Sequence, residues 1–397
     1  MKSKFLINPF VMYFVSFAIV LFFYSFGWSD AYPKLSWQLL LFLFVTMFVM
    51  LFCGYVFYRG NYFKYTSITP RPRMIKRLLI VNYLLLIVEF YVARTIPILG
   101  YLFGNREMDY TEFGLPFVHV IVANLFPVLA IYTFHCILST PKGKERTKFY
   151  RYLFWAFLPA ILIFNRGMML YEITCMMMLY MMSIKSIRKV LLGVVCSILG
   201  ILFLFGALGN LRTDTQEVKS LILEIGSATP EFKESWIPQE FFWAYLYIAT
   251  PIGNLQYNMD RINVDVISNQ DVAKYVNFEL LPEIISKRIA AVFDYTPKDR
   301  LLVINALNAS SVYTGAYVYL GWIGMTVTFC FTLFFIFVTL LFVPPRSPYF
   351  CTAVVLICCV VLFNVFNNMF TFMGLVPQLL FPIFMSIPCL RRIKLNE

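Results

Sequence analysis

The sequence predicts an all-α polytopic membrane protein with about ten transmembrane helices and one large extracytoplasmic loop that contains short interfacial helices. Of its 397 residues, 60% are apolar and only 14% are charged, whereas about 25% of residues are charged in a soluble globular domain. The mean hydropathy is +0.74. Runs of about 20 apolar residues recur along the chain, and each is long enough to cross a bilayer as a helix.

The apolar runs and the turn residues between them give the predicted spans in order. We place them at 9–27, 37–58, 78–98, 116–138, 152–164, 168–184, 190–211, 312–343, 349–370 and 374–390. The fifth and sixth spans form a tight hairpin around Asn165, Arg166 and Gly167. The eighth run is long for a single span, so either its first part belongs to the loop or the helix is tilted.

The distribution of basic residues predicts the topology. Twenty of the 33 Lys and Arg residues lie in short segments that alternate regularly along the chain. Cytoplasmic loops carry such an excess, so both termini are predicted to be cytoplasmic. The net charge of +12 reflects this topology and attraction to anionic headgroups. It does not indicate nucleic-acid binding, since no basic face with interleaved aromatic residues is present.

The chain divides into membrane helices at 1–211, a large loop at 212–311 and further membrane helices at 312–397. Within the loop, an aromatic stretch at 236–257 has an apolar core of about 12–14 residues, which suits an interfacial or re-entrant helix. A crossing at this point would invert every later loop and place the basic C-terminal tail outside. We therefore expect the aromatic stretch to lie along the membrane.

The composition excludes several kinds of site. All nine cysteines lie in apolar runs, as expected for small packing residues. With two histidines and no clustered carboxylates, no metal site is predicted. No phosphate-binding glycine-rich loop or nucleophile elbow is present. We expect no cofactor and no ATP-driven transport.

Three arginines are predicted at the outer membrane surface: Arg94, Arg166 and Arg212. A guanidinium stays charged at any working pH and offers a planar set of donors, which suits a phosphate or pyrophosphate. Gly167 permits close approach of a ligand beside Arg166. The alternative for each arginine is that the side chain reaches toward lipid headgroups without a catalytic role.

Candidate general bases are Asp214, Glu172 and His119. Asp214 lies two residues from Arg212, so it is either a base beside a phosphate clamp, an ion-pair partner or a solvated loop charge. Glu172, like Glu89, lies within a predicted span, where an ionisable residue is expensive and is either functional or paired with an arginine. His119 is near the outer end of its span, and a structural role is the alternative.

Several stretches together resemble the oligosaccharide repeat unit polymerases, the O-antigen polymerase-like family. They read FNRG at 164–167, GNLR at 209–212, TPIGNL at 250–255, LNASSVY at 307–313 and YLGWIG at 319–324. The resemblance covers about residues 160–325, and the helix count fits the rest. It implies an enzyme that polymerises undecaprenyl-pyrophosphate-linked oligosaccharide repeat units into a surface polysaccharide such as O-antigen, capsule or exopolysaccharide.

The resemblance also implies how and where such an enzyme acts. It is a metal-independent glycosyltransferase at the outer face of the bacterial cytoplasmic (inner) membrane, and outward-facing arginines handle the pyrophosphate. Arg166 and Arg212 are the residues to which this role transfers. The expected partners are the undecaprenyl-pyrophosphate-linked glycan, membrane lipid, a chain-length regulator and a flippase, with no nucleic acid.

Two other functions stay open from the sequence. A flippase or transporter for lipid-linked oligosaccharide would have charged residues along a path through the bilayer and often an internal repeat, and this chain has few mid-membrane charges and no visible repeat. A ligase that moves finished glycan is the other alternative. The related ligases use a histidine in their large outer loop, and this loop has none, which also leaves the identity of the base open.

Overall fold

A computed structural model of the chain describes residues 7–103, 113–115, 117–184 and 222–394. Helices make up 71% of the structure, and the described residues form no strand beyond one antiparallel bridge between Ser29 and Ala228. The predicted all-α class is therefore confirmed. The predictions for Arg212, Asp214 and the span at 190–211 concern residues outside these ranges.

The helices of the first half match most of the predicted runs. They are α1 (Pro9–Tyr24), α2 (Trp37–Arg59), α3 (Pro72–Ala93), α4 (Pro97–Phe103), α5 (Val118–Ser139), α6 (Lys144–Leu162) and α7 (Arg166–Ser183). The third run starts earlier than predicted and is interrupted at Arg94, whose backbone is left-handed with φ 52°. Pro97 then opens α4, because proline fits the first turn of a helix.

The second half contains the segment predicted to be the large loop, called the loop below, and the apolar helices that follow it. Its helices are α8 (Pro230–Lys233), α9 (Glu240–Arg261), α10 (Asn269–Tyr275), α11 (Glu283–Phe293), α12 (Val312–Phe342), α13 (Phe350–Phe363) and α14 (Leu380–Lys394). A π-helical turn at Val276–Leu280 follows α10, and a 3₁₀ turn at Val376–Leu379 precedes α14.

Among the described residues, four helical segments have the length and hydropathy to cross a membrane: Trp37–Arg59, Pro72–Gly100, Val118–Ser139 and Val312–Phe342. Three shorter apolar helices accompany them, at Pro9–Tyr24, Phe350–Phe363 and Val376–Ile387. An all-helical membrane protein is thus supported. The number of ten spans and the sidedness of the loop remain predictions.

The long helix α12 is interrupted. Gly321 has φ 57° and ψ −140°, a combination open essentially to glycine alone. The break divides α12 into a first part that is buried from Val312 to Leu320 and a later part with exposed apolar side chains such as Ile323 and Phe334. The extra length of this run therefore comes from a first part that is packed inside the protein.

The centre of the helical body is α13. Every residue from Phe350 to Val361 is buried, and the helix contacts α1, α5 and α7. A helix that is apolar on all sides belongs inside a protein or membrane. Its small residues, among them Cys351, Ala353 and Cys358, allow neighbouring helices to approach closely. This helix ends earlier than predicted, at Phe363, and an irregular segment follows it.

Two sets of contacts define opposite ends of the helical body. At one end, the segment after α2 meets the end of α5, where His135 Nε2 lies 2.9 Å from the Thr66 carbonyl oxygen. At the other end, the turn after α1 meets the start of the described loop. There the Ser29 hydroxyl donates to the Gly226 carbonyl at 2.6 Å, and the Thr229 N–H donates to the Trp28 carbonyl at 3.0 Å.

Helix α9 holds the loop against the membrane helices. It spans 22 residues, which is longer than the apolar core predicted for this stretch, and it packs on α1 and α12. At Gly253 the Tyr32 ring comes so close that a Cβ would lie 2.6 Å from it. The Tyr32 hydroxyl also hydrogen-bonds Thr250 Oγ1 at 2.6 Å. The loop is therefore a packed part of the fold.

Candidate functional site

The predicted arginine clamp is only partly within the described residues. Arg166 is the first residue of α7, where Asn165 caps the helix by accepting from the Met168 N–H at 2.9 Å, but its side chain is outside the described part. Arg94 is exposed and terminates α3 in the left-handed conformation. Whether these two arginines and Arg212 meet at one substrate stays a prediction.

His119 is paired with a buried carboxylate. Its Nδ1 lies 3.3 Å from Glu89 Oε2, and Glu89 Oε1 accepts the Leu115 N–H at 3.1 Å. Gly114 has φ +102° and lies so close that a Cβ would be 2.7 Å from Glu89 Oε1. Glu89 is fully buried, whereas the His119 side chain is 25% exposed. The Glu89 carboxylate thus orients the His119 imidazole. This pairing explains why an acidic residue is present within the predicted span.

Glu172 is enclosed in the helical body. The residue is fully buried in α7, and neither carboxylate oxygen has a hydrogen-bond partner among the described residues. An arginine partner for Glu172, one alternative from the sequence, is therefore not seen in this part of the chain. Nothing in the described contacts connects it to the loop.

The loop contains a buried ionic cluster that the sequence did not single out. Glu279, in the π-helical turn, is 1% exposed. Its Oε1 accepts from Arg300 Nη2 at 2.8 Å, and its Oε2 accepts from Asn368 Nδ2 at 3.0 Å. Asn368 Nδ2 also donates to the Glu279 backbone carbonyl at 2.7 Å. The cluster therefore joins the loop to the segment that follows α13.

The surroundings of Glu279 are shaped for its carboxylate. A Cβ on Gly315 of α12 would lie 2.1 Å from Glu279 Oε1, so only glycine fits at this position. The π-helical turn widens the backbone beside the cluster, and such turns occur frequently at functional sites. Because the buried Glu279 carboxylate is bonded to Arg300 Nη2 and breaking a buried ion pair is strongly unfavourable, this arrangement holds the Arg300 guanidinium in place.

A cavity of about 400 Å³ opens next to the cluster. Its lining includes aromatic, charged, amide and hydroxyl side chains: Phe278, Glu279, Lys298, Arg300, Asn308 and Ser310. Asp299 and Tyr319 also contribute to the wall. A concave site of this size with a few convergent polar groups is typical of a small-molecule site. Among the described residues, we take this cavity as the candidate functional site.

Lys298 is held at the rim by a second ion pair. Its Nζ lies 2.7 Å from Asp271 Oδ1, and its backbone N–H donates to the Tyr319 hydroxyl at 2.8 Å. The Lys298 ammonium, together with the Ser268 hydroxyl, lowers the pKa of Asp271 from 3.8 to about 2. Asp271 is therefore ionised at neutral pH and continues to bind the ammonium.

Two amides of α9 position the other wall. Asn254 Nδ2 donates to the carbonyls of Leu307 at 3.2 Å and Ala309 at 2.8 Å, while its Oδ1 accepts the Val303 N–H at 2.8 Å. One turn later, Asn258 both donates to the Leu301 carbonyl at 2.7 Å and accepts its N–H at 2.9 Å. Residues 301–309 are thereby fixed to α9.

Ser310 is the unusual member of the lining. Its backbone N–H donates to the Phe366 carbonyl at 3.1 Å, and the residue is 3% exposed. Its hydroxyl oxygen has no partner among the described residues. Since an unsatisfied buried polar group costs about 1–3 kcal/mol, a water or ligand in the cavity would stabilise this hydroxyl.

The sequence pointed to one part of this site and missed the other. The LNASSVY stretch contains Asn308 and Ser310, which line the cavity. Asn254 of TPIGNL does not line it but holds the backbone of that stretch. Glu279, Lys298 and Arg300 gave no signal, because charged residues in a polar loop are solvated in most cases. Their ion pairs, Glu279 with Arg300 and Lys298 with Asp271, are what identify them.

Comparisons with known proteins identified no relative of this chain. The scan against protein-family models and the search of curated proteins both gave no match to this chain. Within the described residues, no group of three or more His, Cys, Asp or Glu side chains could hold a metal ion. Any function must therefore be argued from the fold and the cavity.

Proposed function

We propose that the protein is a lipid-linked oligosaccharide polymerase, a metal-independent glycosyltransferase that joins undecaprenyl-pyrophosphate-linked repeat units into a surface polysaccharide. The observation that carries the proposal is the convergence of separate resemblance stretches on one cavity. Asn254 from TPIGNL holds the backbone of LNASSVY, and Tyr319, which opens YLGWIG, contributes to the same wall. The enzyme would work at the outer face of the bacterial cytoplasmic membrane.

The proposed reaction has simple chemical requirements. A sugar hydroxyl of one repeat unit attacks the anomeric carbon of another, and the lipid pyrophosphate leaves with the bonding electrons. Arginines in place before the reaction would stabilise the charge that develops on the pyrophosphate, a role we assign to Arg166, Arg212 and Arg94. The attacking hydroxyl gives its proton to a general base, for which Asp214, Glu172 and His119 remain the candidates.

The described contacts rank two of these candidates. His119 is already oriented by Glu89 and is partly exposed, so it is the better placed of the pair to meet a substrate. Glu172 is enclosed and would need an opening in the helical body to reach a sugar. This ranking supports testing His119 first.

The defining experiment is deletion of the gene followed by a profile of surface and lipid-linked glycans. A polymerase is indicated by single repeat units without polymer. Absence of surface glycan with lipid-linked units retained inside the cell would indicate a flippase instead. Finished polymer that stays on the lipid carrier would indicate a ligase. Unchanged polymer would contradict all three.

The arginine assignment is tested by complementing the deletion strain with variants. We expect Arg212→Ala and Arg166→Ala each to abolish polymer while membrane levels of the protein are normal. Substitution by lysine should restore little, because a point charge cannot replace the planar guanidinium. Arg261→Ala is a matched control, since Arg261 stacks 3.6 Å above the Tyr257 ring and should be dispensable. Normal chain length in both alanine variants would contradict the clamp.

A further inference from the structure

The charges around the cavity do not suit a pyrophosphate. In and beside the cavity there are three carboxylates, those of Glu279, Asp299 and Asp271, and two cations, Arg300 and Lys298. Each cation is already within 2.8 Å of a carboxylate oxygen. A multiply charged anion would have to displace these carboxylates or be repelled by them. This excess of carboxylates over cations favours a ligand without net negative charge.

The cavity has an aromatic surface beside its polar groups. Phe278 is half-buried, and its ring lies almost parallel to the buried Tyr319 ring, at 13° with centroids 6.4 Å apart. The face of an aromatic ring is negative, so it attracts the partly positive C–H groups on one face of a sugar ring. Both rings belong to the lining of the cavity.

The polar groups supply both donors and acceptors. Asp299 offers acceptor oxygens, Arg300 and the exposed Asn308 amide offer donors, and the Ser310 hydroxyl can do either. The Ser310 oxygen is buried and has no partner among the described residues, so it is available to a ligand. Hydroxyl groups of a sugar also donate and accept, and they match this mixed set better than a phosphate, which only accepts.

We propose that the cavity between the π-helical turn and α12 is a carbohydrate subsite, in which the glycan stacks on Phe278 and hydrogen-bonds the Glu279–Arg300 cluster and Ser310. The inference rests on the proposed function and deepens it, because it separates recognition of the sugar from recognition of the pyrophosphate. Glu279 acts here as a positioning residue that holds Arg300 toward the hydroxyl groups.

The test uses the full-length protein in lipid nanodiscs and two probes. One probe is a single repeat unit of the surface polysaccharide, prepared by mild acid hydrolysis and size selection. The other is inorganic pyrophosphate. Saturation-transfer NMR should show contact with the oligosaccharide, and Phe278→Leu should weaken its binding by about three- to tenfold, because an apolar side chain remains while the aromatic face is lost.

Matched variants separate this effect from a general loss of structure. Phe293→Leu changes an aromatic residue of α11 that is 62% exposed and should bind like the wild type. Ser310→Ala removes only the unpartnered hydroxyl and should also weaken binding, so the test stands if Phe278→Leu does not fold. No oligosaccharide contact, unchanged affinity in folded Phe278→Leu and Ser310→Ala, or displacement of the oligosaccharide by pyrophosphate would each overturn the subsite.

The two proposals fail in different ways. If deletion of the gene removes polymer but the protein shows no binding of the oligosaccharide, the polymerase proposal is supported and the subsite is refuted. If the protein binds the oligosaccharide through Phe278 but the deletion strain still makes full-length polymer, the subsite is supported and the polymerase proposal is refuted.

Discussion

At the scale of single residues, Glu279 shows how the fold tolerates a buried charge. Both of its carboxylate oxygens accept a hydrogen bond, one from Arg300 and one from Asn368, and Gly315 leaves room for the carboxylate. Removing one partner from a buried ion pair leaves the other charge without compensation. The cluster is therefore expected to be sensitive to isosteric substitution.

Glu279→Gln should destabilise the protein by about 2–4 kcal/mol, because one amide hydrogen-bond donor then faces a donor of Arg300 or Asn368. The change is measured as the free energy of unfolding in detergent. In a double-mutant cycle with Arg300→Gln, the coupling energy should be about 0.5–3 kcal/mol.

The control for this prediction is another glutamate in the same loop. Glu283 pairs with Lys287 at 2.6 Å, but their side chains are 50% and 75% exposed, so Glu283→Gln should cost at most about 0.5 kcal/mol. Equal effects of the two substitutions would show that the Glu279 cluster does not stabilise the fold.

At the scale of elements, the packing of the loop depends on one face of α9. Asn254 and Asn258 are four residues apart and so lie on the same side of the helix. Together they bond the backbone of residues 301, 303, 307 and 309. A segment without regular structure is thus given the backbone partners that a strand or helix would otherwise provide.

Asn254→Ala should loosen this segment. We expect faster amide hydrogen exchange at Val303, whose N–H loses its acceptor, and in the neighbouring backbone up to Ala309. Hydrogen exchange read by mass spectrometry on peptides that cover 300–310 measures the change. Asn263→Ala is the control, because that side chain is exposed and bonds Asp265, and it should leave these peptides unchanged.

If Asn254→Ala leaves exchange in peptides 300–310 at the wild-type rate, the three bonds do not hold the cavity wall. A wall that stays ordered through other contacts would then be the better description.

The break of α12 at Gly321 also acts at the scale of elements. It lets the buried first part of the helix face the loop while the later part faces outward.

At the scale of the whole molecule, the two ends of the helical body carry different chemistry. The end that includes the turn after α1 also includes α8 and the loop. The opposite end includes the basic start of α3. Because basic segments remain on the cytoplasmic side, the loop and the candidate cavity are predicted to face outward.

This orientation is tested by single cysteines on a cysteine-depleted background. Lys233→Cys, in α8, should react with a membrane-impermeant maleimide in intact cells. Arg73→Cys, at the start of α3, should react only after the membrane is made permeable. Both side chains are exposed, so accessibility within the protein does not limit either reaction. The reverse labelling pattern would place the cavity in the cytoplasm and exclude polymerisation at the outer face.

The sequence by itself determined the all-helical class, because a chain in lipid must satisfy its backbone hydrogen bonds within each segment, and long apolar runs can do so only as helices. The runs predicted at 37–58 and 116–138 thus became the helices Trp37–Arg59 and Val118–Ser139. The sequence also drew attention to Asn254 and Ser310 through the stretches that contain them.

Only the tertiary structure decided which polar groups meet. Arg300 and Asn368 lie 21 and 89 residues along the chain from Glu279, whose carboxylate both of them bind. No local periodicity encodes such distances, because hydrogen bonds between side chains depend on how helices pack and not on spacing along one helix. The candidate cavity is therefore a product of the packing of the loop against α12 and the segment after α13.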